Sequence, residues 1–325
     1  YTSAPGNPEV RATIAESINR RFDMNIEGKN IYMTTGAAAS ISICFKALAN
    51  EGDEFITFAP FFPEYTCFVE AAGGKLLVVP ANIEDFQINF DEFDKLINEK
   101  TKAIIVNSPN NPSGAVYSED TIKKLAARLE EKSLAYGHPI FLISDEPYRE
   151  IVYDDITVPY LPKYYNNTFV CYSYSKSLSL PGDRIGYIVV PNEMIEFPKI
   201  FAAIAGSARA LSYVCAPSFF QKVVAKCVEE TADISIYENN RNVLYNALKE
   251  IGYECVKPEG AFYLFPRSLE ADAYAFCEKA KKYDLLLVPG DDFGCPGHIR
   301  ISYCVKPEQI ERSLPAFKKL FDEYQ

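Results

Sequence analysis

The sequence predicts an α/β fold, a mostly parallel central sheet covered by helices, followed by a smaller C-terminal α+β domain. Three observations carry that expectation. Apolar runs such as Ala103-Ile104-Ile105-Val106 and Ile140-Phe141-Leu142-Ile143 show none of the in/out alternation of a half-exposed strand, as a sheet covered on both faces requires. From the start of the chain to about residue 230, these runs alternate with helical patterns. Beyond that point the pattern turns mixed, so two domains are expected, residues 1–230 and 231–325.

Taken in order, Val10, Ile14, Ile18 and Phe22 recur every four residues behind Pro8, which predicts an amphipathic helix with proline near its start. Residues 31–34 read as a strand. Thr35-Gly36 then leads into an alanine-rich helix over 37–49, which stops at Asn50-Glu51-Gly52-Asp53 before a strand at 55–58. The alternation continues with a strand at 75–79, a helix near 90–99, a strand at 103–106, a helix from 118 to about 131 and a strand at 140–143. Further strands are expected at 169–172 and 185–190. In the second domain a helix over 234–250 precedes strands at 253–256 and 261–265, a helix near 271–283, and short strands at 285–288 and 299–304. A helix over 307–321 closes the chain.

The composition bounds the function. With 325 residues, 48% of them hydrophobic and 24% charged, the chain can bury a large core. A net charge of −11 would repel nucleic-acid backbones and anionic membranes, so small molecules are the expected partners, with no nucleic acid and no membrane. The nine cysteines are scattered without a C-x-x-C pair, which predicts reduced thiols in a cytoplasmic protein. The two histidines, His138 and His298, are far apart and lack Cys/His ligand spacing, so no metal is expected. No apolar run is long enough for a bilayer, and no signal segment opens the chain.

Ligands of open parallel sheets gather at the carboxyl ends of strands. Four loops in such places carry unusual polar residues: Thr35-Gly36-Ala37-Ala38, Asn107-Ser108-Pro109-Asn110-Asn111-Pro112-Ser113-Gly114, Ser144-Asp145-Glu146-Pro147-Tyr148, and the run from Ser173 through Lys176 to Gly182-Asp183-Arg184. Gly36-Ala37-Ala38 at a helix start would offer N–H groups and the helix dipole to a phosphate, with no bulky side chain between. Singly, each loop has an ordinary explanation: a glycine entering a helix, a proline turn, an aspartate ending a strand, a surface lysine. Ser173-x-x-Lys176 also matches the penicillin-binding acyl-enzymes formally, but the S-D-N and K-T-G partners of those enzymes are absent.

In their order, Gly36-Ala37, Asn111-Pro112-Ser113-Gly114, Asp145-x-x-Tyr148, Ser173-x-x-Lys176, Arg184 and the late Arg300 resemble the class I/II pyridoxal-phosphate-dependent aminotransferases of fold type I, the aspartate aminotransferase superfamily. The resemblance covers essentially the whole chain. It implies pyridoxal 5′-phosphate as cofactor and a ping-pong Schiff-base transfer of an amino group between an L-amino acid and a 2-oxo acid. It makes Lys176 the Schiff-base lysine and general acid–base, and sets Asp145 against the pyridine nitrogen. Tyr148 and Asn111 would hold the phenolic oxygen, while Gly36, Ala37, Ala38, Ser173 and Arg184 would cradle the phosphate. Phe62 would stack on the ring, and Arg300, with Asn111, would take the substrate carboxylate. Tyr1 would reach a neighbouring subunit's phosphate in a homodimer with active sites at its interface. The family usually carries a segment before the position of Tyr1.

Two alternatives stay open at this level. A carbon–sulfur β-lyase would use nearly the same cofactor contacts. A catalytically silent cofactor-binding regulatory module would bring a DNA-binding extension, and no basic helix-turn-helix segment occurs here. Arg209 is a possible partner for an acidic substrate side chain or an ordinary surface residue, and the donor stays open among aspartate, glutamate, aromatic amino acids and alanine.

Overall fold

Asn7 opens the first helix, its side-chain oxygen accepting the N–H groups of Glu9 and Val10 at 2.9 and 3.2 Å. The helix, α1 (Pro8–Phe22), buries Val10, Ile14 and Ile18. Strand and helix then alternate through β1 (Ile31–Thr34), α2 (Ala37–Leu48), β2 (Glu54–Phe58), α3 (Glu64–Ala72), β3 (Lys75–Val79), α4 (Phe90–Leu96), β4 (Thr101–Asn107), α5 (Glu119–Tyr136) and β5 (Phe141–Asp145). β6 (Thr168–Ser173) runs directly into the short α6 (Tyr174–Ser177), followed by β7 (Gly186–Val189), α7 (Phe197–Ala210) and α8 (Ser218–Lys226). The computed structural model describes residues 2–325, so Tyr1 lies outside the described residues.

The seven strands form one sheet in the order β1-β7-β6-β5-β4-β2-β3, in which β7 alone runs against the rest. Both faces are covered, as the unalternating apolar runs predict. Phe45, Phe55, Phe141 and Phe169 pack on one side, and Phe58, Phe93, Leu125 and Leu129 on the other. The register is what matters for function. It sets Asn107 beside Asp145, Asp145 beside Cys171, and both Ser173 and Thr34 beside Gly186. The carboxyl ends of β1, β4, β5 and β6 therefore meet at one edge.

The second half comprises α9 (Ser235–Ile251), β8 (Tyr263–Leu264), α10 (Ala273–Ala280), β9 (Val288–Pro289), β10 (Ile299–Ser302) and α11 (Pro307–Asp322), with an antiparallel sheet in the order β8-β10-β9. Leu244, Leu248, Phe276, Tyr303 and Phe317 form its core, joined by Tyr148, Ile151 and Tyr153 from the segment after β5.

Some elements differ from expectation. Residues 253–256 form no strand: Tyr253 is buried against the Phe317 and Phe321 rings, and its hydroxyl donates to the Phe317 carbonyl at 3.1 Å. Packing on α11 replaces pairing. The strand expected at 285–288 shrinks to Val288–Pro289, with Leu286 83% exposed. The helices α3, α7 and α8 were not expected, and α5 runs five residues past its predicted end, from 131 to 136, to Gly137, whose φ of 73° closes it.

A candidate active site at the carboxyl edge of the sheet

The loops singled out in the sequence open onto one cavity of about 290 Å³. Ala37, Ala38, Phe62, Asn111, Asp145, Tyr148, Ser173, Lys176, Arg184 and Arg300 all line it. Gly36 stands just behind, where a Cβ would come within 2.7 Å of Arg184 Nη2 and where φ is +102°. Only glycine allows this approach of strand end to arginine. Gly36 also offers no side-chain cap, so the first-turn N–H groups of α2 are left to the cavity that Ala37 and Ala38 line. Arg209, by contrast, is exposed on α7 and outside the cavity.

Lys176 is carried by α6, which Ser173 caps by accepting the Ser175 N–H at 3.1 Å. Its Nζ lies 5.3 Å from the Phe262 ring and 5.9 Å from the Tyr148 ring. Burial lowers the pKa of its ammonium, and the positive charges of Arg184 and Arg300 lower it further, against the Cys304 thiol. Such a lysine gives up its proton more readily than one on the surface.

Asp145, at the end of β5, is buried. Tyr65 donates to its Oδ2 at 2.5 Å, while Oδ1 has no hydrogen-bond partner. Burial pushes the carboxyl up to about 7, with the Tyr65 hydrogen bond pulling down and the Glu146 charge adding to the rise. Asn107 ties two loops together: its Nδ2 donates to the Asp145 carbonyl at 3.0 Å, and its Oδ1 accepts the Asn111 N–H at 2.8 Å. Asn111 Oδ1 in turn accepts from Arg300 Nη1 at 3.1 Å. The guanidinium packs over the rings of Tyr263 and Phe293, 4.7 and 4.8 Å from their centroids. Among the described residues no carboxylate pairs with Lys176, Arg184 or Arg300, although ion pairs are frequent elsewhere on the chain.

Tyr65, Asn107 and Tyr263 were not singled out by sequence reasoning. Asn107 stands in a loop that drew attention for another of its asparagines, Asn111. Tyr65 follows Pro60-Phe61-Phe62-Pro63, but nothing in sequence ties it to a carboxylate 80 positions later.

A parallel sheet whose strand ends gather a lysine, a half-satisfied buried carboxylate and an unpaired arginine describes a class: enzymes that handle amino groups on pyridoxal phosphate. The residues fit that cofactor. The orphaned Asp145 Oδ1 can receive a ring N–H, and the bare start of α2 with Arg184 can receive a phosphate. The sequence pattern of the family Aminotransferase class I and II matches residues 1–317. A probable aspartate/prephenate aminotransferase of Aquifex aeolicus is 32% identical, the match covering 99% of this chain and 84% of that protein. A crystal structure of an amino transferase from Eubacterium rectale superposes with a TM-score of 0.99 at 58% identity, covering 100% of this chain and 82% of that one. The aspartate aminotransferase of Thermotoga maritima superposes with a TM-score of 0.90 at 30% identity, over 99% and 84%. The chain belongs to the class I and II aminotransferases, pyridoxal-phosphate-dependent enzymes that move amino groups between amino acids and 2-oxo acids.

Proposed function

We propose that Lys176, Asp145 and Tyr148 carry the transamination chemistry and that Arg300 aligns the substrate. When bound, pyridoxal 5′-phosphate supplies an aldehyde for the amino group and a ring that takes up the electrons of a broken C–H bond. Lys176, whose Nζ opens onto the cavity, would be the amine that receives the aldehyde. The same amine would serve as the general acid and base that moves the proton of the substrate α-carbon, a task suited to a lysine whose proton burial and two arginines loosen. Asp145 Oδ1 would accept the hydrogen bond of the ring nitrogen, whose positive charge would offset the burial that otherwise keeps the carboxyl protonated. Because Asn111 Oδ1 is taken by Arg300, its Nδ2 is left to join Tyr148 at the phenolic oxygen. Arg300 would present two parallel N–H donors to the α-carboxylate, and Phe62, on the cavity wall, would pack on the ring. The phosphate is held by the start of α2 with Gly36, Ala37, Ala38, Ser173 and Arg184.

The observation that carries this reading is the orphaned, buried Asp145 Oδ1 in one cavity with Lys176 and the unpaired Arg300. Lys176→Ala should lose the absorbance band of lysine-bound cofactor and about two to four orders of magnitude in turnover. Persistence of that band in the variant would sink the assignment. Relatives named for aspartate, aspartate/prephenate and aromatic amino acids make these the first donors to test, in a panel with 2-oxoglutarate as acceptor.

The same reading divides the chain into a large cofactor-holding domain, residues 1–230, and a smaller one, 231–325. An apolar core formed mostly by residues beyond 231, joined by Tyr148, Ile151 and Tyr153, supports the division. It also makes the protein a cytoplasmic homodimer with its sites at the interface. Nine free cysteines support the compartment, and Phe219, 71% exposed beside Thr2 and Ser3, is an apolar surface near the chain start, where the family's tyrosine reaches a partner. Light scattering of the purified protein tests the dimer.

A further inference from the structure

Tyr263 has no part in the roles assigned so far, yet it touches two of them. The register pairs Tyr263 of β8 with Ser302 of β10, and Arg300 lies two residues before Ser302, hence on the same face of the sheet. The Tyr263 ring, 8% exposed, accordingly lies 4.7 Å from the guanidinium. Its hydroxyl is 3.0 Å from that of Tyr148, and either can donate.

We propose that Tyr263 is a positioning and specificity residue: it links the carboxylate fork, Arg300, to the hydroxyl of Tyr148 that faces the cofactor's phenolic oxygen. This rests on the roles given above to Arg300 and Tyr148. A tyrosine hydroxyl has one proton. When Tyr148 gives its proton to the cofactor oxygen, its own oxygen only accepts, and Tyr263 is the donor at 3.0 Å. Two hydroxyls in series polarise each other, so Tyr148 donates more strongly than it would alone. Burial keeps both phenols protonated, with the Arg300 charge acting against it, so the link is a hydroxyl pair. The ring does separate work: together with the Phe293 ring it packs against the guanidinium and restrains it without supplying a counter-charge. A substrate carboxylate that draws Arg300 towards it therefore pulls on the same side chain that braces Tyr148. Amino acids engage this link, and amines without an α-carboxylate do not.

Holoenzymes of the wild type, Y148F, Y263F, the double variant and Y263L separate these functions. Donors in series draw charge from the phenolic oxygen, so losing either makes the bound chromophore keep its proton to higher pH. Y263F should move the pH midpoint of the bound-cofactor absorbance upward by about half a unit, the worth of one weakened hydrogen bond, with KM nearly unchanged. The double variant should move no further than Y148F. Y263L, which also removes the ring, should weaken binding of the inert carboxylate propionate by about three- to thirty-fold. A Y263F enzyme that titrates like wild type beside a shifted Y148F, additive shifts in the double variant, or a Y263L that binds propionate normally would overturn the role of Tyr263. A Y148F enzyme that titrates like wild type would instead overturn the assignment of Tyr148 itself, and this link with it.

Discussion

Asp145 shows how one side chain can oppose the fold that holds it. Its carboxyl keeps a proton up to about pH 7 in the folded chain, whereas an ordinary aspartate releases it near 3.8. Between those values the folded state binds the extra proton, so cofactor-free protein should lose stability as pH rises from about 4 to about 7, by on the order of 4 kcal/mol at most. Asp145→Asn should flatten that slope in thermal melts across the range. Loading the wild type with cofactor should flatten it too, because a cationic ring nitrogen lowers the carboxyl's pKa. If the cofactor-free wild type and Asp145→Asn melt in parallel across this range, the orphaned oxygen is not titrating as described.

At the scale of elements, the segment after β5 is held by a buried ion pair. Arg149 Nε donates to Glu146 Oε2 at 2.5 Å, and the same guanidinium reaches the carbonyls of Val158 and Pro159 at 3.1 and 2.9 Å. Ser144 Oγ donates to the other carboxylate oxygen at 2.7 Å. Arg149→Met would strand Glu146 in the core and should cost about 3–5 kcal/mol in urea unfolding; a double change, Glu146→Leu with Arg149→Met, should recover much of it. Neither residue was singled out in the sequence, where Asp145 and Tyr148 drew the attention; the Val158 and Pro159 carbonyls that Arg149 reaches are announced by no residue pattern. What was legible follows the same physics. The strands of the large sheet were readable because both their faces are apolar, and α2 because alanine favours helix. Residues 64–72 were not, since Tyr65, Thr66 and Val69 are indifferent helix formers and Gly73, with φ of 96°, closes a helix that packing sustains. Lys176, Asp145 and Arg184 stood in loops with order and spacing. Tyr65 and Tyr263 matter through partners 80 and 115 residues away, a distance sequence spacing does not express.

Over the whole molecule the charge is uneven. A chain of net −11 gathers three cations without carboxylate partners among the described residues in one cavity, a local attraction for anionic ligands. The cavity walls come from both halves, with Asp145 from the large sheet, Lys176 from the helix α6 behind β6, and Tyr263 and Arg300 from the small sheet, and the Phe61 N–H donates to the Phe293 carbonyl across them at 3.0 Å. A cofactor seated here ties the halves together. Its removal should lower the melting temperature by several degrees; at a thousandfold excess over Kd it is worth about 4 kcal/mol, and its absence should shift calorimetric transitions of both halves. An unchanged melting temperature on removal would count against a site shared between them.

The ring-clamped Arg300 also has a practical consequence at the bench. A guanidinium packed on aromatic rings, with no carboxylate paired to it among the described residues, will accept whatever small oxyanion or halide the buffer provides. Acetate, phosphate or chloride would then act as competitive inhibitors, and apparent affinities for amino donors would depend on the choice of counter-ion before they depended on the donor.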